Sequence, residues 1–214
     1  GLRFEKALTL ADLTGHRKGF LKDLGLPRMR LIASTKGFKS GYEALPLAAQ
    51  NFFSAGGKLP GGDLELAEGV NILAAFDAAV SPSNVRAALH KIGLGNAVLD
   101  IDGTVDGMFG GEPSVELTVD IDTPANHGFK FLKAKHAKAE FFIKLSKTEE
   151  ALGFRTAVEM SQGKGKPMLE FDVDFELAEQ DGQVEVRVAG GMTGDWQNAA
   201  EIKGLTLESP FMSV

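Results

Sequence analysis

"MLEFDVDFELAEQDGQVEVRV" (168–188) decides the fold class. Leu169, Phe171, Val173, Phe175 and Leu177 alternate with Glu170, Asp172, Asp174 and Glu176. After a turn over 179–182, Val184, Val186 and Val188 alternate with Gln183, Glu185 and Arg187. In an extended chain successive side chains point to opposite faces, so period-two alternation predicts strands with one dry face and one wet face. Such strands suit an antiparallel sheet better than a parallel sheet covered on both sides.

The same pattern extends upstream. In 97–106, Ala97, Leu99, Ile101 and Val105 share one parity, and Asp100, Asp102, Thr104 and Asp106 share the other. In 114–122, Val115, Leu117, Val119 and Ile121 alternate with Glu116, Thr118, Asp120 and Asp122. Turn chemistry separates the runs at 107–113 and 163–167. Residues 130–145 predict a less regular strand, and 28–35 and 63–79 predict strands in the first half. Helices are few. The clearest covers 82–92, with Ser81 or Ser83 as cap, Pro82 in the first turn, a stripe of Val85, Ala88, Leu89 and Ile92, and Gly93 as terminator. Further helices are predicted over 16–24 and 43–54, with a helical turn over 147–152. The fold expected is α+β and mainly β: a strongly twisted antiparallel sheet of about nine to eleven strands wrapped on two or three amphipathic helices.

Composition narrows the function classes. The 214 residues are 43% hydrophobic with a net charge of −6, enough for a real core in a single domain, 1–214, and a poor match to nucleic acid. There is no cysteine, hence no disulfide, thiolate metal site or thiol nucleophile. No apolar run has membrane-spanning length. The chain opens at Gly1, which fits a missing leader or a longer parent. The aromatics are skewed to Phe, at 15 against one Tyr and one Trp, and Phe favours dry surroundings.

A weak internal repeat runs at an offset of 68 residues. "FLKDLGLPRMRLIAST" (20–35) aligns with "ALHKIGLGNAVLDIDG" (88–103), matching Leu21 to Leu89, Leu24 to Ile92, Gly25 to Gly93, Leu26 to Leu94 and Leu31 to Leu99. This suggests degenerate units at 1–68, 69–136 and 137–204, the third much less clear. Chance similarity is the competing explanation.

"AVLDIDGTVDG" (97–107) resembles the first motif of the haloacid-dehalogenase-type phosphatases. That resemblance implies a nucleophilic Asp100, an acid/base Asp102 and a bridging Mg²⁺. Asp-x-Asp recurs, however, at Asp120/Asp122 and Asp172/Asp174, each time on the wet parity of a strand, and the later acidic pair that the family needs is missing. The Asp100/Asp102/Asp106 face is also similar to a calcium loop, without its bidentate Glu. His16, His90, His127 and His136 lack metal-ligand spacing. "MSQGKGKP" lacks the order of a phosphate-binding loop, and no Gly-x-Ser-x-Gly elbow occurs. The sequence offers no catalytic set and implies no cofactor or metal.

Two non-catalytic readings stand. In the first, the apolar face is an unfilled groove for a lipid or other hydrophobic ligand, lined by Phe141, Ile143, Leu169, Phe171, Val173, Phe175, Val184 and Val186. Phe142 falls on the opposite parity, and either faces a second layer or marks an exposed contact. In style, the helix ending in Leu-Gly-Leu, the Gly-punctuated strands and "GGMTGDWQNAAEIKGLTLESP" (190–210) resemble AsmA-like and tubular lipid-binding proteins of the BPI-like kind. That resemblance implies a lipid-binding groove and membrane-associated transfer. In the second reading the same residues fill a core, and the chain is a structural or adhesive repeat module. Lys130, Lys133, Lys135, Lys138, Lys144 and Lys147 suit either peripheral contact with an anionic membrane or a solvated strand edge.

Overall fold

The alternating runs are strands, and they lie side by side as the alternation requires. The computed structural model describes residues 1–4, 6–15, 17–54, 62–107, 112–124, 133–161, 168–180, 183–192, 194–199 and 202–213. The first half contributes β1 (Leu2–Arg3), β2 (Leu8–Thr9), β3 (Gly25–Leu26), β4 (Arg30–Ser34), β5 (Phe38–Gly41), β6 (Asp63–Leu66), β7 (Gly69–Asp77) and β8 (Val98–Asp106). The second half contributes β9 (Ser114–Asp122), β10 (Lys133–Ala134), β11 (Lys138–Leu145), β12 (Glu150–Ser161), β13 (Met168–Gln180), β14 (Gln183–Met192), β15 (Asp195–Gln197), β16 (Thr206–Glu208) and β17 (Phe211–Ser213). The α-helices are α1 (Leu10–Thr14), α2 (Leu47–Ser54) and α3 (Ser83–Lys91). The main sheet has 11 strands in the order β1-β4-β7-β8-β9-β11-β12-β13-β14-β17, with β10 beside β12. Its pairings are antiparallel. The protein is therefore α+β and mainly β, with a large antiparallel sheet and few helices.

The sheet curls into a trough. Phe76 of β7 and Phe141 of β11 stand three strands apart, a separation of about 14 Å in a flat sheet. Their ring centroids are only 4.9 Å apart. Glycines let neighbouring backbones crowd together within this curvature. A Cβ on Gly103 would lie 1.9 Å from the Glu116 carbonyl oxygen, and one on Gly153 would lie 1.9 Å from that of Phe175.

Several expected elements differ. The segment 63–79 is two strands: β6 pairs with β5, and β7 with β4 and β8. The bend between them is held by buried Asn71, whose Oδ1 accepts from the Ala67 N–H at 2.8 Å while its Nδ2 donates to the Ala67 carbonyl at 2.9 Å. The described part of 16–24 is not helical. It is an irregular segment whose Leu21 N–H donates to the Glu150 carboxylate of β12. The helix lies earlier, at α1, where Thr9 and Asp12 form a reciprocal capping box and Gly15 closes the end at φ 71°. The helical turn expected at 147–152 is a tight turn, with Ser146 Oγ accepting from the Glu149 N–H at 3.0 Å, and β12 starts at Glu150. His16, His127, Lys130, the turn expected at 163–167, most of that at 107–113 and half of that at 179–182 lie outside the described residues.

The leucines of 20–26 and the residues aligned with them at the 68-residue offset sit in unlike local structures, an irregular segment leading into β3 and the end of α3, and the strand registers do not repeat with the offset. β1 pairs with β4, and β7 with β8; the aligned segments 20–26 and α3 each precede the second strand of their pair. Leu21, Leu24, Leu26, Leu89 and Ile92 all reach 0% exposure in one cluster. A second, smaller core lies on the other face of β4 and β7. There α2 and the antiparallel β5–β6 pair bury Tyr42, Leu45, Phe53, Leu64 and Leu66. Arg30 donates to the Phe53 carbonyl at 2.8 Å within it, and burial pulls its pKa below the ordinary value.

Candidate functional site

The trough's inner face carries the larger of the two apolar clusters, and α3 packs over it. Pro82 is the N-cap of α3 and makes no side-chain cap bond. Ser81, expected as a cap, instead donates to the Asp77 carbonyl at 3.2 Å. At the other end Gly93 takes φ 82°. Its N–H reaches the His90 carbonyl at 3.3 Å, and the Leu94 N–H reaches that of Leu89 at 2.9 Å, the two bonds of a Schellman motif. The helix is thus fixed in length, and its stripe of Val85, Ala88, Leu89 and Ile92 is 0–2% exposed. It packs against β13 and β14.

Beneath it the register sets out rows of apolar side chains. Val119, Phe141, Phe154, Phe175 and Val188 stand opposite one another across β9, β11, β12, β13 and β14. Phe154 and Phe175 stack at 4.7 Å and 14°. Next to that row run Leu117, Ile143, Leu152, Leu177 and Val186. The sequence-predicted lining residues therefore share one face. Phe141, Ile143 and Phe175 are fully buried, Leu169, Phe171 and Val173 are 2–4% exposed, and Val184 and Val186 are half-buried at the rim. They belong to one contiguous cluster with α3, Leu21, Leu24 and Leu26. Sequence reasoning missed the Leu21–Leu26 contribution as a filling of the trough, although the repeat alignment had matched those leucines to the helix.

The outer face is charged and largely self-paired. Asp100 meets Arg28 at 3.0 Å, Asp122 meets Lys138 at 2.6 Å, and Asp174 meets Arg155 at 3.3 Å. Lys144 reaches Glu116 at 3.3 Å, Lys147 reaches Glu112 at 2.6 Å, and Lys135 pairs with Glu170. The lysine cluster is thus mostly engaged by the acidic strands. Hydrogen bonding to Lys138 holds the Asp122 carboxyl below the usual range. Asp102 sits mid-strand between antiparallel β7 and β9, and Asp100 lies near the start of β8 opposite Ala75 of β7. Asp102 is exposed overall, yet crowding of its carboxyl, and then the Glu65 charge, push its pKa up. It borders a cleft of about 180 Å³ with Glu65, Ala67 and Asn71.

Phe142 is neither an exposed contact nor part of a second layer. It lies on the outer face opposite Gly153, 1% exposed, with the Arg155 guanidinium 4.7 Å above its ring. Arg155 is held there by Glu140 at 2.9 Å and by Asp174. The cation over the ring face closes it from water.

Two further clefts lie at the surface. One of about 460 Å³ follows the exposed side of α3 past Arg86 and His90. The other, about 560 Å³, runs over β12–β14 between His136 and Phe211. Of the predicted lining residues only Val173 borders any of these three clefts. Among the described residues no group of three or more His, Asp or Glu is placed to hold a metal ion, and no helix is long and apolar enough to cross a membrane. No protein-family profile, curated protein or solved structure matches the chain.

Proposed function

We propose that the protein is a non-catalytic structural module, a β-rich scaffold whose interior is filled by its own chain and whose outer surfaces and edges meet partners. One observation supports this above the others: α3 and the 20–26 segment occupy the trough as part of a single buried cluster with Phe141, Phe154 and Phe175. An acyl chain on the same face would have to displace Val85, Leu89 and Ile92. Each such side chain contributes about 1.5–3 kcal/mol by its burial, which the ligand would need to replace. The acidic strands, closed by their own lysines and arginines, act as a solvated exterior.

The lipid groove implied by the AsmA-like resemblance is the second reading. The observation on its side is the rim, where Met160, Val184, Val186 and Met192 are only partly buried against the core. Native mass spectrometry of the purified chain, with organic extraction of the same sample, separates the two. The scaffold reading expects the bare polypeptide mass and no acyl chains. A stoichiometric lipid carried through purification overturns it in favour of the groove.

A further inference from the structure

β14 is covered unevenly on the side away from β13. β17 pairs with Ala189, Gly190 and Gly191 only, and among the described residues no strand lies against 183–188 on that side. An open edge presents unpaired N–H and C=O groups, and native sheets usually guard such edges with Pro, Lys or a bulge. The sequence QVEVRV has neither Pro nor Lys, and its register with β13 is unbroken down to Gln180 opposite Gln183.

We propose that this edge docks a second copy of the chain, β14 against β14, about a two-fold axis normal to the sheet. The argument rests on charge. Such an axis keeps each face of the sheet continuous, so only residues of like parity can meet. A register centred on Glu185 opposes glutamate to glutamate, and one centred on Arg187 opposes arginine to arginine. Centred on Val186, the register sets Glu185 against Arg187 of the second copy, and Arg187 against its Glu185. It also sets Val184 against Val188 twice, extending the apolar rows of the trough. Residues 184–188 fill the open stretch, which ends where Ser213 of β17 meets Ala189. Among the described residues neither Glu185 nor Arg187 makes an ion pair within 4.0 Å; Arg187 stands across from Glu176 of β13, whose charged form it favours, and Glu185 stands across from Ala178. Opposite charges placed directly across a strand pair stabilise it, and like charges there destabilise it.

Such a short edge buries less than the roughly 1,200 Å² of a stable interface, so the dimer is weak and concentration-dependent. The inference deepens the scaffold reading by naming a partner, and it rests on that reading for a β14 held firmly by the core beneath it.

Sedimentation velocity of the full chain, from about 10 µM to 1 mM at low salt, tests it. The wild type shifts from monomer to dimer across that range. Glu185→Arg and Arg187→Glu each weaken the dimer by about tenfold or more, since symmetry makes two like-charge contacts from each. Glu185→Arg, which stands opposite Ala178 of β13, is the gentler change for the fold. An equimolar mixture of the two variants recovers the dimer, because every contact between them is again Arg against Glu. The proposal is overturned by a wild type that stays monomeric at about 1 mM, by single variants that dimerise like the wild type, or by a mixture that fails to recover. A monomer that carries no lipid in native mass spectrometry removes the dimer and leaves the scaffold. A charge-swap dimer that carries lipid does the reverse.

Discussion

Replacing Leu89 by alanine tests whether α3 is part of the core or a lid over it. The side chain is fully buried, on a stripe with Val85, Ala88 and Ile92, and faces the β13–β14 side of the trough. Truncating a buried leucine to alanine costs 2–5 kcal/mol, more where the surroundings cannot collapse into the gap. Here the neighbours belong to a curled sheet and to a helix fixed by its Schellman end, so collapse is restricted and about 3–4 kcal/mol is expected. For a chain of 214 residues each kcal/mol moves the melting midpoint by about 2–4 °C, which gives a fall on the order of 10 °C. Lys91→Gln, on the exposed side of the same helix, serves as control and stays within about 0.5 kcal/mol. Urea titration followed by circular dichroism reads both. A Leu89→Ala variant as stable as the control would refute the reasoning, because lids belong to the weakly held parts of a structure and tolerate such losses.

Two other outcomes follow from the outer face. Arg155→Gln removes the cation over Phe142 together with the ion pairs to Glu140 and Asp174. It should cost about 1–2 kcal/mol in denaturant titration, and a double-mutant cycle with Phe142→Leu should return a coupling of about 0.5–1 kcal/mol. Asp102 has a raised pKa in the fold, so the stability tied to its protonated form is present below the ordinary carboxylate range and is lost as pH rises through the folded value. Asp102→Asn should therefore melt higher than the wild type at about pH 7, with the difference vanishing near pH 3. A constant difference across that range would show that desolvation is not the cause.

The strands whose wet face is strongly acidic were the most legible. β9 spans the 114–122 run read from alternation, and β8 and β13 begin within a residue of theirs. β12 escaped because its outer positions hold Ala151, Gly153 and Ala157, leaving Arg155 and Glu159 as the main polar markers of parity. That composition follows from the packing: Gly153 lets the β13 backbone approach, and Arg155 covers the Phe142 ring. The segment 16–24 read as a helix by its likeness to 82–92, with Gly25 closing it as Gly93 closes the other. It is held instead by contacts from elsewhere in the chain: the Leu21 N–H donates to Glu150, 129 residues away, and the Leu24 and Lys22 carbonyls accept from Leu10 and Ala11, none of which a local window can register. α1 went unread, although Thr9 and Asp12, three apart at its start, form the capping box that the structure uses. As for the candidate site, alternation placed Phe141, Ile143, Phe171 and Phe175 on one dry face. A dry face has the same pattern whether a ligand or the chain itself covers it.

Native-state amide hydrogen exchange of α3 tests the filled trough most directly. The account predicts that Ala88, Leu89 and their neighbours exchange only through global unfolding, as slowly as the centres of β12 and β13, with or without added fatty acid or phospholipid vesicles. Helix amides that exchange orders of magnitude faster than the sheet, and slow down when lipid is added, would contradict it.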